Sequence, residues 1–580
     1  MAIKLTKRFL DELKRCVNSP NVVVELALDG GTRYFGYHGK NSTAIVRFSA
    51  DASVHADGSV HAVGSDEISS FVQPLLKSVS SLQNKIDPGK GFSTRGELKI
   101  VISGRENFKP LLRDEYLKNR RVTRRDGFIA PGLAYSDYAA TFTGVISDWS
   151  RKGDEIRITV ADDLADAGST KVPTENEDGT QYLDYTCMHP VDIMTDILTN
   201  QLGIEAGYID TNRFTEEGDL WLNGSAFSRV LTEPEEANKY LNELQVETNS
   251  FIVHDGEKVS LKVFAPPSPG LTTEEWTDNF NILEGSFSQK SGYKDNFYNR
   301  VVVYYDYDES GGDGSGNFES AVISLDAASQ GAAEWDEAST KTIKSKWIRT
   351  RTWTQPLSIS GVTVYHCSRN NPTGGGTLSF TYDAGGEHTL QWTCPGGAQG
   401  SAVTVSQCGK YDIYSKDETK WIRVIVDYNT LPPSTRTDTI TITALNGASL
   451  ATTLANKLLY RYRSPVSTVS FEVDINNVAY NNEFIKPTDL KDISTDEACE
   501  YGLDGWVRER VMITGVRPDF SDHTVKVEAV STKMSRRYGF IAPAGQPDYS
   551  LASTGEREYA FIGDANNMVN GGTEDGYYIW

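Results

Sequence analysis

At 580 residues the chain is too long for a single hydrophobic core, and about three to five domains are expected. Lys and Arg total 57 against 79 Asp and Glu, a net charge of −22, which excludes a surface that as a whole attracts nucleic acid or anionic membrane. The 38% hydrophobic content, with 28 Tyr, 22 Phe, 10 Trp and 50 Gly, suits aromatic-rich β structure with many turns, and no run approaches the roughly 18 apolar residues of a membrane helix.

The N-terminus, Met1 to Lys7, has a basic flank without a following apolar run, so no signal peptide is expected. Leu5, Phe9, Leu10, Leu13 and Val17 have helical spacing, and Ser19-Pro20 ends that helix. Val22 to Leu28, an Asp29-Gly30 turn and Thr32 to Tyr37 read as a β-hairpin, because glycine accepts positive φ without steric cost. Leu98, Ile100 and Ile102 alternate in a further strand after Ser93-Thr94-Arg95-Gly96-Glu97. Residues 142–162 then read Phe142-Thr143-Gly144-Val145-Ile146-Ser147-Asp148-Trp149, a charged turn, and the alternating strand Ile156 to Val160.

In the middle section, Pro190 to Leu202 reads as a helix with Ile193, Met194, Ile197, Leu198 and Leu202 on one face. Thr232 and Glu235 resemble a capping box for a second helix that buries Ala237, Tyr240, Leu241 and Leu244. An Asp255-Gly256 hairpin joins Phe251-Ile252-Val253 to Val259 through Phe264, ending near Pro266-Pro267. From Tyr298 to about 445 the pattern is strand and turn, with a small sandwich from roughly 355. A helix follows Asn446-Gly447 with Leu450, Leu454, Leu458 and Leu459 on one side, and then the strand Val469 to Val473.

Residues 513–530 repeat the earlier hairpin: Ile513-Thr514-Gly515-Val516-Arg517-Pro518-Asp519-Phe520, a turn at Ser521-Asp522, and alternating Val525 to Val530. A chain carrying one β unit twice presents two similar faces to a symmetric partner, which points to assembly rather than catalysis. Arg124 to Pro131 and Arg536 to Pro543 share Gly-Phe-Ile-Ala-Pro, before the hairpin in one case and after it in the other, so this second echo is not a simple tandem duplication. Residues 533–580 look like an extended arm ending in Tyr577-Tyr578-Ile579-Trp580. The organisation expected is a first β domain at 1–165, an α+β domain at 166–290, a β-rich domain at 291–445, a second β domain at 446–532 and the arm at 533–580.

Motifs for chemistry are sparse: there is no H-E-x-x-H, P-loop or nucleophile elbow. Cys16, Cys187, Cys367, Cys394, Cys408 and Cys499 are scattered without a C-x-x-C pair, as for mostly buried thiols in a reducing cytoplasm. His366-Cys367, Cys394 and Cys408 are either metal or iron–sulfur ligands or thiols on strands. Asp306-Tyr307-Asp308-Glu309-Ser310-Gly311 starts like a calcium loop, but its twelfth position is Asn317, so a solvated loop is the alternative. Asp162, Asp163 and Asp166 are either an acid/base cluster or a strand exit. Arg120-Arg121-Val122-Thr123-Arg124-Arg125 is the strongest basic patch, to be read as a nucleic-acid contact, a dock for an acidic neighbour or a solvated turn.

In chain order, these segments resemble the tail hub proteins of long-tailed bacteriophages. The resemblance is carried by the Phe9-Leu10 helix leading to Val24-Glu25-Leu26, by Ser93 to Glu97, and by Phe142 to Asp148 through Val160-Ala161-Asp162-Asp163-Leu164. It continues in Lys344-Ser345-Lys346-Trp347-Ile348, in Leu390 to Gly397, and in Arg537 to Pro543 with Pro547-Asp548-Tyr549. It implies a mainly β fold with α+β portions: two tail-tube-like β-barrels, an α+β domain and a sandwich-like insertion. It also implies a homotrimer at the tail tip of a virion, assembled in the host cytoplasm, that adapts a sixfold tube or distal tail ring to a threefold tip. The implied partners are the distal tail protein ring or tail tube, the tape measure protein, and a central fibre or receptor-binding proteins. Genome DNA would pass its acidic channel without specific binding. Some such hubs hold an iron–sulfur cluster on grouped cysteines or carry lysozyme or peptidase domains, and this sequence reproduces neither. No catalytic, cofactor-binding or metal-binding residue and no cofactor is assigned. Two other roles compete: a host-receptor or glycan-binding protein, from the β insertion with Trp353, Trp392 and Trp421 read as exposed, and a cell-wall hydrolase, from the acidic loops.

Overall fold

A computed structural model of the chain describes residues 5–15, 19–37, 72–81, 84–86, 93–95, 97–130, 133, 135–174, 183–231, 234–265, 273–278, 280–290, 297–307, 317–326, 339–353, 359–366, 376–384, 387–393, 399, 401–416, 421–428, 431–440, 442–463, 466–477, 479–480, 483–500, 503–519, 522–532, 568–569 and 574–575. The fold is mainly β and multidomain. Helix α1 (Lys7–Leu13) is capped by the Thr6 hydroxyl, which accepts the Phe9 N–H at 3.1 Å, and it buries Phe9 and Leu13.

Seven strands then close a barrel: β1 (Pro20–Leu26), β2 (Arg33–Tyr37), β3 (Val72–Val79), β6 (Leu98–Ser103), β7 (Arg121–Phe128), β8 (Ala139–Lys152) and β9 (Glu155–Ala161). Their order is β1-β2-β3-β6-β9-β8-β7, with β7 returning to β1. Alternate residues of each strand fill it, including Leu26, Phe35, Ile100, Phe142, Ile146 and Ile158, so the barrel is a packed core and not a pore. The connection from β3 to β6 leaves the barrel as two short strands, β4 (Asn84–Ile86) and β5 (Ser93–Arg95), paired with each other. Helix α2 (Arg105–Asp114), which periodicity did not reveal, follows Gly104 at φ 98°.

The second β unit is an eight-stranded sheet. Its main path runs β10 (Glu275–Thr277), β13 (Leu490–Glu500), β14 (Leu503–Asp519), β15 (Thr524–Ser531), β12 (Thr468–Asp474), β11 (Ser288–Lys290), with β4 and β5 attached to one side. The path stays open among the described residues, where the resemblance implied a second tail-tube-like β-barrel. It ends on two three-residue strands, β10 and β11, that do not pair with each other. One hydrophobic core joins this sheet to α1 and to the outside of the first barrel, uniting Phe9, Val23, Phe128 and Tyr138 with Trp276, Phe471, Ile513 and Val527.

Between these units lie helices α3 (Pro190–Asp196), α4 (Thr211–Trp221) and α5 (Ala237–Thr248) with the hairpin of Ser250–His254 and Val259–Val263. The first helix continues through a π turn, Ile197–Gln201, and Ile193, Met194, Ile197 and Leu198 are buried as their spacing requires. A three-stranded sheet of Phe318–Leu325, Arg300–Tyr307 and Thr340–Lys344 shares a core with α6 (Gly447–Tyr462). The insertion is a sandwich: Ile359–His366, Trp421–Tyr428 and Gly409–Lys416 form one sheet, and Val403–Val405, His388–Thr393, Gly376–Thr381 and Arg436–Ile440 the other. Its core contains Leu378, Phe380, Leu390, Trp392, Val424 and Tyr428.

The Lys344 to Ile348 motif is a structural clasp. The Ser345 hydroxyl donates to Glu247 Oε2 at 2.6 Å and accepts the Trp347 and Ile348 N–H groups, while the Trp347 indole N–H donates to Glu243 at 2.9 Å. Burial pushes Glu247 well above the ordinary carboxyl range, and Ser345 and Arg229 only partly oppose that shift. Folding therefore takes up a proton at this site, so its contribution to stability falls as pH rises through the unfolded value near 4.5 and levels only above the raised folded value. We expect Glu247→Gln to remove this downward slope when urea midpoints are compared across pH. An unchanged slope would refute the assignment.

Candidate assembly interface

Four strands of the barrel recur in the open sheet in one order and one register. β6, β9, β8 and β7 lie side by side, as do β12, β15, β14 and β13, and every neighbouring pair is antiparallel. Ile100 pairs with Ile158 as Phe471 pairs with Val527. Val145 pairs with Ala161 as Met512 pairs with Val530, and Val122 with Gly144 as Lys491 with Val511. Both hairpins have a bulge at the same place, after Ile146 in the first and after Ile513 in the second. The preceding turns match as well. Asn119 (φ 63°) and Thr488 (φ 81°) are left-handed, and donate their N–H groups to the carbonyls of Ile146 and Ile513 at 2.8 and 2.7 Å.

This register corrects the letter-by-letter match of the two sequences. Gly144 corresponds to Val511, and Gly515 to Asp148, so the shared Thr-Gly-Val lies four positions further along the strand in the second copy. Because the bulge after Ile513 intervenes, those four residues are only three ladder steps, from Val511 opposite Ser531 to Gly515 opposite Glu528. Gly515 therefore lies on the other face of its strand from the counterpart of Gly144, and the bulge returns Val516 to the face of Val511 and Ile513. Both hairpins end at the same place, Lys152 opposite Glu155 and its counterpart Asp519 opposite Thr524, and differ in the turn between, residues 153–154 in the first and 520–523 in the second.

The two units are joined by a strand. Asn84 and Lys85 of β4 pair with Val516 and Gly515 of β14, and the Lys85 ammonium lies 2.6 Å from the Glu528 carboxylate. No sequence signal marked β4; only the backbone ladder reveals it.

The arginine run is paired within the chain, and from Arg121 on it lies on the half-buried strand β7, which corrects the reading of it as a solvated turn. Arg120 pairs with Asp29, and Arg121 with Asp163 while lying 3.8 Å over the Tyr208 ring. Arg124 makes two hydrogen bonds to Asp126, at 2.9 and 2.7 Å, and one to the Ser80 carbonyl at 2.8 Å. Arg125 reaches Glu25 at 2.6 Å. Asp163 also accepts from His254 Nε2 at 3.2 Å, and because His254 Nδ1 accepts the Gly256 N–H at 3.1 Å, the imidazole proton lies on Nε2. Burial works to raise Asp163, but His254 and Arg121 outweigh it and hold the carboxyl below its ordinary range. Asp162 Oδ1 accepts the Leu164 N–H at 3.0 Å, as in a strand exit. Asp163, held between Arg121 of β7 and His254, ties β7 to the α+β unit.

No family model matches the chain, and no curated protein matches it. Among solved structures it is similar to the 43 kDa tail protein of prophage MuSo2 from Shewanella oneidensis, at 10% identity and a TM-score of 0.38, over 89% of this chain and 99% of that one. It is also similar to a tail protein from Neisseria meningitidis MC58, at 10% identity and 0.39, over 88% and 97%, and to a chain of a native gene transfer agent virion, at 10% and 0.29, over 82% and 79%. Superposition at that level does not decide the role of this chain.

The remaining candidates separate. Asp306, at φ 56°, is held by Ser320 Oγ at 2.9 Å and by the Thr350 N–H at 2.6 Å, so its carboxylate already ties the 318–325 strand to the bend at Thr350. Asn317 is buried, and residues 308–316 lie outside the described residues. Cys408 is exposed, as are Cys187 and Cys499, which corrects the expectation of buried thiols; Cys16, Cys367 and Cys394 lie outside the described residues. Among the described residues no group of three or more His, Cys, Asp or Glu is placed to hold a metal ion. Trp392, read from sequence as exposed, is fully buried in the sandwich core, while the side chains of Trp353 and Trp421 lie outside what is described. The second Gly-Phe-Ile-Ala-Pro segment and most of the C-terminal arm also fall outside the described residues.

Proposed function

We propose that this chain is a structural protein of a bacteriophage tail, the homotrimeric hub at the distal end of the tail tube. In this reading three chains supply six copies of the four-strand module to one ring, which faces a sixfold tube or distal tail ring on one side and a threefold fibre or receptor-binding protein on the other. The observation that carries it is the shared strand order, register, bulge and left-handed turn of two modules within one polypeptide. The packed barrel interior argues that tape measure protein and genome would pass between modules. The charge of −22 and the internal pairing of the Arg120–Arg125 run favour passage of DNA without specific binding.

The proposed division assigns 1–165 and 446–532 to the ring, with β10 and β11 of the 166–290 segment joining its second module and α6 packing outward, the rest of 166–290 and 291–445 to its periphery, and 533–580 to an arm docking on neighbouring proteins. The receptor-binding alternative loses Trp392 as a surface aromatic, and the hydrolase alternative loses Asp163, which is locked between Arg121 and His254. Light scattering of the full chain, alone and with a tail tube ring, tests the reading. Three chain masses and class averages with six similar lobes are expected; a monomer under both conditions would overturn it.

A further inference from the structure

We propose that the outer edge of the first hairpin, Ser147 to Lys152, takes a β-strand from a second copy of this chain. The inference rests on the ring reading and names the contact that would join neighbouring subunits.

The second module shows the same edge already filled. β13 stops pairing with β14 at Met512, and β4 covers the bare edge beyond it, at Gly515 and Val516. Both covered residues are buried. In the first module β7 stops pairing with β8 at the matching residue, Val145. Register makes Asp148 and Trp149 the counterparts of Gly515 and Val516. Among the described residues no strand lies against them on that side, and Ser147 through Lys152 are all exposed. Trp149 is 40% exposed where its counterpart Val516 is 5% exposed.

The direction of the free backbone groups follows from one residue. Pro518 has no N–H, yet it sits in the ladder opposite Val525, so that position does not need to donate across the hairpin. Its counterpart is Arg151, opposite Ile156. Strand groups alternate in direction, so Arg151 and, two residues back, Trp149 turn their N–H and C=O groups to the open edge. A bare, exposed edge carrying an aromatic is a template for strand addition.

Pseudo-symmetry selects the occupant. β4 comes from the connection between β3 and β6 of the first module and fills the second module in cis. The counterpart connection in the second module runs from β11 to β12, and the same step forward from there arrives at the first module of another copy. Repeating the two steps sets modules alternately with each edge covered once, and in the ring reading the third copy closes on the first.

Hydrogen exchange of the full chain, comparing its oligomer with dilute monomer, tests this. Amides in the 147–152 segment are expected to exchange at least about tenfold more slowly in the oligomer. Trp149→Pro, which removes an outward donor, is expected to shift the solution mass toward one chain with an unchanged circular dichroism spectrum. Arg151→Pro, which places in the first hairpin the residue its counterpart already has, is expected to keep the oligomer, because the cis pairing ends at Val516. An oligomer whose 147–152 amides exchange as fast as in the monomer would overturn this contact and leave the ring reading standing. A chain that never self-associates, even on a tail tube ring, would overturn both.

Discussion

Gly144→Val is expected to unfold the first module, whereas Gly515→Ala is expected to cost less than about 1 kcal/mol. A Cβ at Gly144 would lie 2.2 Å from the Ala161 carbonyl oxygen, 3.0 Å from its carbon and 2.9 Å from Phe142 Cε1. Two of those atoms are backbone of the adjacent strand β9, which cannot withdraw without breaking the ladder that closes the barrel. We expect even Gly144→Ala to lose about 2–3 kcal/mol. At Gly515 the nearest atom is Glu528 Cβ at 3.3 Å, which needs a yield of only a few tenths of an ångström, and the next, its Cδ and Oε2 at 3.5 Å, are at ordinary contact distance. Urea titrations of the three variants decide this. Equal losses at the two glycines would show that the shared letters mark a shared steric requirement, against the register described here.

The second large effect is expected inside the same barrel. Arg124 and Asp126 share the buried face of β7 with Val122, and their two hydrogen bonds, with those from Arg124 to Ser80 and from Thr141 to Asp126, satisfy both charges. Asp126→Ala leaves the Arg124 guanidinium buried without its carboxylate and should cost about 3–5 kcal/mol. Arg124→Met combined with Asp126→Leu removes both charges and should recover most of that loss, because apolar replacement of a buried pair is often near neutral. A double-mutant cycle on urea midpoints measures the coupling. If Asp126→Ala alone were neutral, the pair would contribute nothing to holding the barrel.

Much of the local structure is legible in the residues themselves. The spacing of Ile193, Met194, Ile197 and Leu198 identifies a buried helix face, and Leu98, Ile100 and Ile102 identify a strand with one buried side. The hairpin around Asp255-Gly256 and the helix after Asn446 also form where turn and apolar signals place them. The partners of charged residues were not legible. Arg120 to Arg125 reads as a basic patch because its counter-ions, Asp29, Asp163, Asp126 and Glu25, lie mostly far away in sequence. Trp392 reads as exposed because a strand's alternation marks two faces without saying which one a second sheet covers.

The sequence by itself determined that the chain is β-rich, that it carries one kind of hairpin near each end, and that no assembled motif for catalysis accompanies them. Those properties rest on side-chain chemistry repeated at short range: alternation, turn glycines, helix spacing. Only the tertiary structure decided which residues of the two hairpins correspond, that β4 crosses from one unit to the other, and that no strand among the described residues covers the edge at Trp149. Strand pairing is made by backbone groups that nearly every residue carries, so register and cross-unit pairing leave little trace in the letters and appear only when the strands lie beside one another.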